Sequence, residues 1–197
     1  MEQKAPQAEG GRSGRATRAR ILQAADELFY AEGIRATSAD RIIAEVGITK
    51  VTFYRHFPSK GELVVAYLTR QAAAERGWIT GIRRTGDATA SLDALAAGIG
   101  AASCSPGFRG CAFINAAAEF SDPGDPVRAA VEEHRSWMLG EFAAIAHDAG
   151  ATDAASVARQ LMLLRDGAMV NGYLGEPESV AGALTTAFHA VIGAPAR

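Results

Sequence analysis

The chain has 197 residues, 48% hydrophobic and 21% charged, with a formal net charge of −2. This is the composition of a soluble globular protein, and two cysteines, Cys104 and Cys111, are too few for a disulfide framework. No apolar run approaches the roughly 18 residues of a membrane helix, and the N-terminal MEQKAPQAEGGRSGR lacks the apolar centre of a signal peptide, so the expected location is the cytoplasm, with no membrane partner.

The predicted elements are helical almost throughout, because strand-like alternation and β-branched runs are missing. Residues 1–16 hold Gly, Pro, Gln, Ser and Arg without periodicity. They read as a flexible basic arm, either a plain leader or a source of extra phosphate contacts through Arg12, Arg15 and Arg18. Ile21, Leu22, Ala25, Leu28 and Phe29 then form one face of a first helix, about Thr17 to Glu32, which Gly33 ends. Thr37 or Ser38 opens a second helix, Thr37 with Asp40 giving a variant of the capping box, and Ile42, Ile43 and Val46 form its inner face. Gly47 breaks that helix in a tight turn. Thr49 caps a third helix to about Phe57, and Pro58 stops it. Ser59 to Glu62 is a capping box for a fourth, predicted to run past Trp78 to about Arg84.

The remainder continues in the same style. Helices are expected at about 88–102 and 111–120, separated by the turn SPGFRG. After the turn DPGDP, Asp125 caps a long helix with Pro126 at its first position. Its stripe is Val127, Val131, His134, Met138, Phe142 and Ile145, and Gly150 ends it. Two final helices follow, at about 154–174 and 177–192. The expected organisation is an all-α chain with three parts: the arm (1–16), a helix-turn-helix domain (17–60) and a larger helical domain (61–197).

Charge divides along the same line. Residues 1–60 carry ten Lys/Arg against seven Asp/Glu, whereas residues 61–197 carry ten against fifteen. A basic head on an acidic body points to a polyanion met by the head alone. Within the head, GITKVTFYRHFPSK (47–60) interleaves aromatic and basic residues. Phe53 and Phe57 share one face of the third helix and can pack on Leu28, Ile42, Val46 and Ile48. Val51, Tyr54 and Arg55 point away. Two helices joined by a short Gly turn can place the N-terminal end of the second in a DNA major groove. Thr49 and Lys50 to Thr52 would sit there, with Lys50 suited to guanine N7/O6, Val51 to a thymine methyl, and Thr52 to a base edge or phosphate. Tyr54, Arg55, His56 and Lys60 suit phosphate oxygens, as do the hydroxyls of Thr37 and Ser38 with the backbone N–H groups that open the second helix. The plainer alternative is a structural helical corner.

Residues 21–68, ILQAADELFYAEGIRATSADRIIAEVGITKVTFYRHFPSKGELVVAYL, resemble the DNA-binding domain of the TetR (tetracycline-repressor-like) family. The shared features are the first-helix ending LF..G, the T-S pair, the turn G-I and the block TFYRHFPSK. Ile43 departs from the small Ala that many members carry. The resemblance implies an all-α homodimeric repressor with a three-helix DNA-binding head and a helical ligand-binding body. It implies base contacts at 49–52, phosphate contacts from Tyr54, His56 and Lys60, and a dimer interface made by the last two helices.

Those helices carry two apolar stripes, Val157, Leu161, Leu164 and Ala168, then Val180, Leu184, Phe188 and Val191. Either dimerisation or packing within one subunit would bury them, and a two-fold operator favours the dimer. For an effector, Asn115 and Glu119 share a face of an otherwise apolar helix that also holds Phe113. His134, Trp137, Met138, Phe142, Met169, Asn171 and Tyr173 complete the candidate lining, with ordinary core packing as the alternative for each. No cofactor is implied. An enzyme reading finds no phosphate-binding Gly loop, and His56, His134, His147 and His189 lack metal-ligand spacing. The expectation is therefore a repressor of double-stranded operator DNA, released by a small apolar molecule. The alternative is a helical small-molecule-binding protein that does not bind an operator.

Overall fold

A computed structural model describes the backbone of residues 7–193 and the side chains of residues 13–193. Nine helices account for the regular structure of the described residues: α1 (Gln7–Glu32), α2 (Ala39–Val46), α3 (Lys50–His56), α4 (Lys60–Ile82), α5 (Ala88–Ser103), α6 (Ala112–Glu119), α7 (Pro126–Asp148), α8 (Ala154–Leu174) and α9 (Pro177–Ile192). The all-α class is as the sequence indicates. None of these helices is long and apolar enough to cross a membrane.

Most helix starts are set by one side chain. Ser38 accepts from Arg41 N, Thr49 from Thr52 N, Ser59 from Glu62 N, Asp87 from Ala90 N, Asp125 from Val127 N and Asp153 from Ser156 N. Each satisfies a backbone donor that the helix leaves unpaired. At the second helix the cap is therefore Ser38, and Thr37 does something else, described below. The first helix departs more. It begins at Gln7, not near Thr17. Residues 7–16 continue the helix instead of forming an irregular arm, because a long helix already nucleated downstream extends at little cost per residue, even through Gly10, Gly11 and Gly14. Residues 1–6 and the side chain of Arg12 lie outside the described residues.

The chain divides into two compact units, Met1–Thr69 and Arg70–Arg197. The division falls inside α4, later than the 60/61 boundary expected from sequence. The reason is burial: Leu63, Val64, Tyr67 and Leu68 are all at most 1% exposed, and Tyr67 packs edge-on against Phe29 at 5.6 Å. The opening turns of α4 thus complete the core of the first unit.

The second unit is built around α5, α7, α8 and α9. Leu92, Leu95 and Ile99 of α5 pack with Met138, Phe142 and Ile145 of α7, Leu161 of α8, and Val180, Leu184 and Phe188 of α9. Small residues bring α5 against its neighbours. A Cβ on Gly100 would lie 2.6 Å from Ala181 Cβ, and one on Gly172 would lie 2.2 Å from Ser103 Oγ.

Gly100→Ala should therefore lower thermal stability, the overpacking cost of roughly 1–3 kcal/mol outweighing the helix-propensity gain of about 1 kcal/mol. Gly140→Ala, on the exposed side of α7 with nothing within 4 Å of its Cβ, should show the gain alone. Calorimetry on the two variants compares them directly.

Candidate functional site

In the first unit, Gly47 makes the turn between α2 and α3. Its φ of 68° and ψ of 43° lie in the left-handed region, and its N–H bonds to Ile43 O and Ala44 O. Ile48 N bonds back to Ile43 O at 3.2 Å. A side chain at Gly47 would be strained by its conformation even though the space is open. Beyond the turn, Phe53 (0% exposed) and Phe57 (2%) anchor α3. Arg18 of α1 lies over the Phe57 ring, 4.6 Å from its centre, and Arg20 donates to Val46 O at the end of α2. Both side chains are largely exposed and make these contacts from the surface of the head.

The opposite face of α3 is open. Val51 is 79% exposed and Tyr54 46%, and Thr49, Lys50 and Arg55 are exposed with them. Thr52 is half-buried, and its hydroxyl lies 3.0 Å from that of Thr49. Lys50 Nζ meets the carboxylate of Asp40 on α2, 2.9 Å from Oδ1 and 3.0 Å from Oδ2. The hydrogen bond and charge of Asp40 hold the Lys50 ammonium above its ordinary pKa. Ser38 is exposed at the start of α2. Lys60 Nζ reaches Arg35 O at 3.5 Å. His56 is half-buried, and its buried Nε2 has no hydrogen-bond partner.

Thr37 needs correction. It is fully buried, and its hydroxyl donates toward Gly33 O at 2.8 Å and Leu28 O at 3.3 Å. It closes the α1–α2 corner from inside and offers nothing to a phosphate. The T-S pair therefore splits, Thr37 to the fold and Ser38 to the helix cap.

A model of the bacterial regulatory proteins, tetR family, matches residues 21–67, which include this whole two-helix unit. A solved TetR-family transcriptional regulator from Streptomyces coelicolor superimposes with a TM-score of 0.86 at 40% identity, covering 91% of this chain and 95% of that one. The chain belongs to the TetR family of transcriptional regulators.

It is thus a DNA-binding regulator with an N-terminal helix-turn-helix. Two curated relatives match over about a quarter of the chain. The transcriptional regulator TtgR of Pseudomonas putida is 42% identical over 52 residues, 26% of this chain and 25% of that one. The transcriptional activator FasR of Mycolicibacterium smegmatis is 42% identical over 53 residues, 27% of this chain and 24% of that one. The chain spans only about a quarter of those relatives' length in the match.

In the body of this TetR-family chain the expected effector residues separate. Met138 and Phe142 belong to the apolar core, and Met169 packs partly buried against it. Asn115 is half-buried and donates from Nδ2 to Arg109 O at 2.9 Å, bracing the loop before α6. Glu119 is half-buried on the same helix. Asn171 and Tyr173 are exposed on α8, which places them outside any interior lining. Their helix turns them outward because its inward positions are Ala158, Leu161, Met162, Arg165 and Gly172.

Phe113, His134 and Trp137 do come together. His134 is 2% exposed, stacked on Phe113 with ring centres 3.7 Å apart, and 5.9 Å from the Trp137 ring. Its Nε2 lies 3.1 Å from Glu75 Oε2, though neither ring nitrogen makes a hydrogen bond of good geometry. Glu75 Oε1 accepts from Arg165 Nη2 at 2.7 Å, and Arg165 Nη1 reaches Asp166 Oδ1 at 3.2 Å. Glu75 and Arg165 escape the sequence reading. The available signal was a charge at an inward position, since Arg165 falls four residues after Leu161 on the buried stripe.

The expected dimer stripe is largely covered within one protomer. Leu161, Val180, Leu184 and Phe188 are at most 4% exposed within one protomer, and Val157, Leu164, Ala168 and Val191 pack against the same core. Periodicity identifies a buried stripe without saying what buries it. The exposed apolar residues of α8 are instead Leu163 (73%), Val170 (44%), Tyr173 (47%) and Leu174 (73%).

Burial pushes the Glu75 carboxyl up, but His134 and Arg165 outweigh it and hold it below its ordinary 4.5. A depressed carboxyl stabilises the fold above its unfolded pKa, and that stability is lost as pH falls through the folded value. Glu75→Gln should accordingly cost about 3–5 kcal/mol near neutral pH, as breaking a buried pair does. The gap between variant and wild type should close as pH drops below about 4. Urea unfolding at several pH values measures both.

Proposed function

We propose that this regulator is a ligand-responsive repressor, cytoplasmic like the DNA it reads, that binds a pseudo-palindromic operator as a homodimer and is released by a small, largely apolar effector. The observation that carries this reading is the exposed N-terminal end of α3, held outward by Phe53 and Phe57. Lys50, Val51 and Thr52, with Thr49, read base edges. Ser38, Tyr54, Arg55, His56 and Lys60 take phosphates around them. This division follows from reach, since long polar side chains beside a groove-bound helix end meet the backbone first.

Dimerisation uses the outer side of α8 and α9. Leu163, Val170 and Leu174 leave an apolar face that water does not favour. Beside it runs a cleft of about 400 Å³ lined by Leu163, Gly167, Asn171, Val180, Ala183 and Ala187 among others. A two-fold pairing places the same patch of both subunits in contact, and a palindromic operator requires that symmetry. The effector binds in the body beside Phe113, His134 and Trp137, where a buried imidazole keeps an unused nitrogen. It acts by binding one state of the dimer better than the other, through α4, which carries Tyr67 and Glu75 on one helix. Because FasR is named an activator, the sign of regulation is itself a point for experiment.

Gel shifts with duplex DNA flanking the protein's own gene test the reading. Wild type should bind with a steep salt dependence. Tyr54→Ala and Lys60→Ala should each weaken binding, the latter lowering the salt slope by about 1. A dimer that shifts no such DNA at low salt would overturn the proposal. Leu163→Glu should yield a monomer in sedimentation and lose operator affinity with its fold intact. A reporter gene behind the bound DNA gives the sign.

A further inference from the structure

Two oppositely charged side chains meet at the end of α3 that faces outward. Lys50 is the first residue of α3 and Asp40 lies in the first turn of α2. The ammonium sits between both carboxylate oxygens, at 2.9 and 3.0 Å, and the side chains are 67% and 63% exposed. A pair so exposed adds little to stability. Its neighbours do not explain it either. Arg41 is engaged by Glu45 at 3.4 Å and by Glu32 at 3.8 Å, and the Thr49 and Thr52 hydroxyls face each other at 3.0 Å. The pair therefore presents the principal charged groups at this end of the helix.

Its chemistry is selective. A lone lysine is a point charge on a flexible stem and takes the nearest phosphate. One neutralised by a carboxylate feels less pull from phosphates and is held in one direction. The ammonium keeps a proton to donate, and the carboxylate keeps lone pairs to accept with. A donor beside an acceptor matches the major-groove edge of a G·C pair, where guanine offers N7 and O6 as acceptors and cytosine offers the N4 amino group as donor. Adenine N7 and N6 also set an acceptor beside a donor, so the choice of G·C rests on the usual pairing of Lys with guanine N7/O6 and of Asp with cytosine N4.

We infer that Asp40 and Lys50 act as one reading unit for a G·C pair in each operator half-site, with Asp40 as a specificity-determining residue. This rests on the reading that the N-terminal end of α3 faces the bases.

The test uses full-length protein and a pool of random-sequence duplex DNA, with bound molecules sequenced to give preferences at every position. Wild type should show a G·C preference at one position of each half-site. Lys50→Met should reduce it roughly five- to a hundredfold, the range of one good base-edge contact. Asp40→Ala should reduce it at that same position and leave the others unchanged. Asp40→Glu should restore part of it, and the double variant should match Lys50→Met alone. If Lys50→Met changes no preference, the base-reading role of this helix end fails. If Lys50→Met removes the preference but Asp40→Ala keeps it, or weakens all sequences equally, the role of Asp40 fails while that of Lys50 stands.

Discussion

A helix of seven residues cannot hold itself in water, because forming the first turn costs more than so few hydrogen bonds return. α3 exists because Phe53 and Phe57 anchor it inside the first unit. The left-handed turn at Gly47 delivers the chain to that anchorage, and Thr49 starts the helix there. Once these are set, the other residues have no freedom of placement. Val51, Tyr54 and Arg55 must point outward, since the helical period leaves them on the opposite side. The exposed face of α3 is thus the remainder after the core has taken its share of one helix.

That face was legible in the sequence because everything that creates it is local. Caps, a glycine turn, a stopping proline and aromatic residues four apart act within a few residues of one another. The same holds for Asp125, whose side chain marks a helix start by bonding a donor two residues ahead. Thr37 and Ser38 show where such reading ends. Both are capping types, and only the position of Leu28 O and Gly33 O decides which hydroxyl turns inward. The start of α1 was missed for a related reason. Composition describes a segment alone, whereas a helix can extend into it from a stable neighbour.

In the body, periodicity identifies what is buried without naming the partner. Leu161 and Phe188 carry the same signal whether a second subunit or the protomer's own α5 and α7 covers them. Glu75 and Arg165 lie 90 residues apart in sequence and 2.7 Å apart in space, so no local pattern announces their pairing. A buried guanidinium must be paired, because an uncompensated charge in the interior costs several kcal/mol. Arg165 therefore constrains α4 and α8 together more strictly than any apolar contact between them. His134 enters the same cluster as a ring against Phe113 with one nitrogen unmatched, which is the arrangement least expected of a residue kept only for packing.

The two units distribute tolerance differently. In the body, a change at Gly100 or Arg165 disturbs several helices, because each is fixed by neighbours on more than one side. On α3 the division runs through a single helix. Phe53 and Phe57 admit little change, whereas Val51, at 79% exposure, can vary without touching the core. Asp40 and Lys50 are equally free of the interior, and they come from different helices joined by the rigid Gly47 turn. These outward residues can therefore change while the anchoring rings stay as they are. A short helix anchored from behind separates the residues that keep the fold from those that face outward.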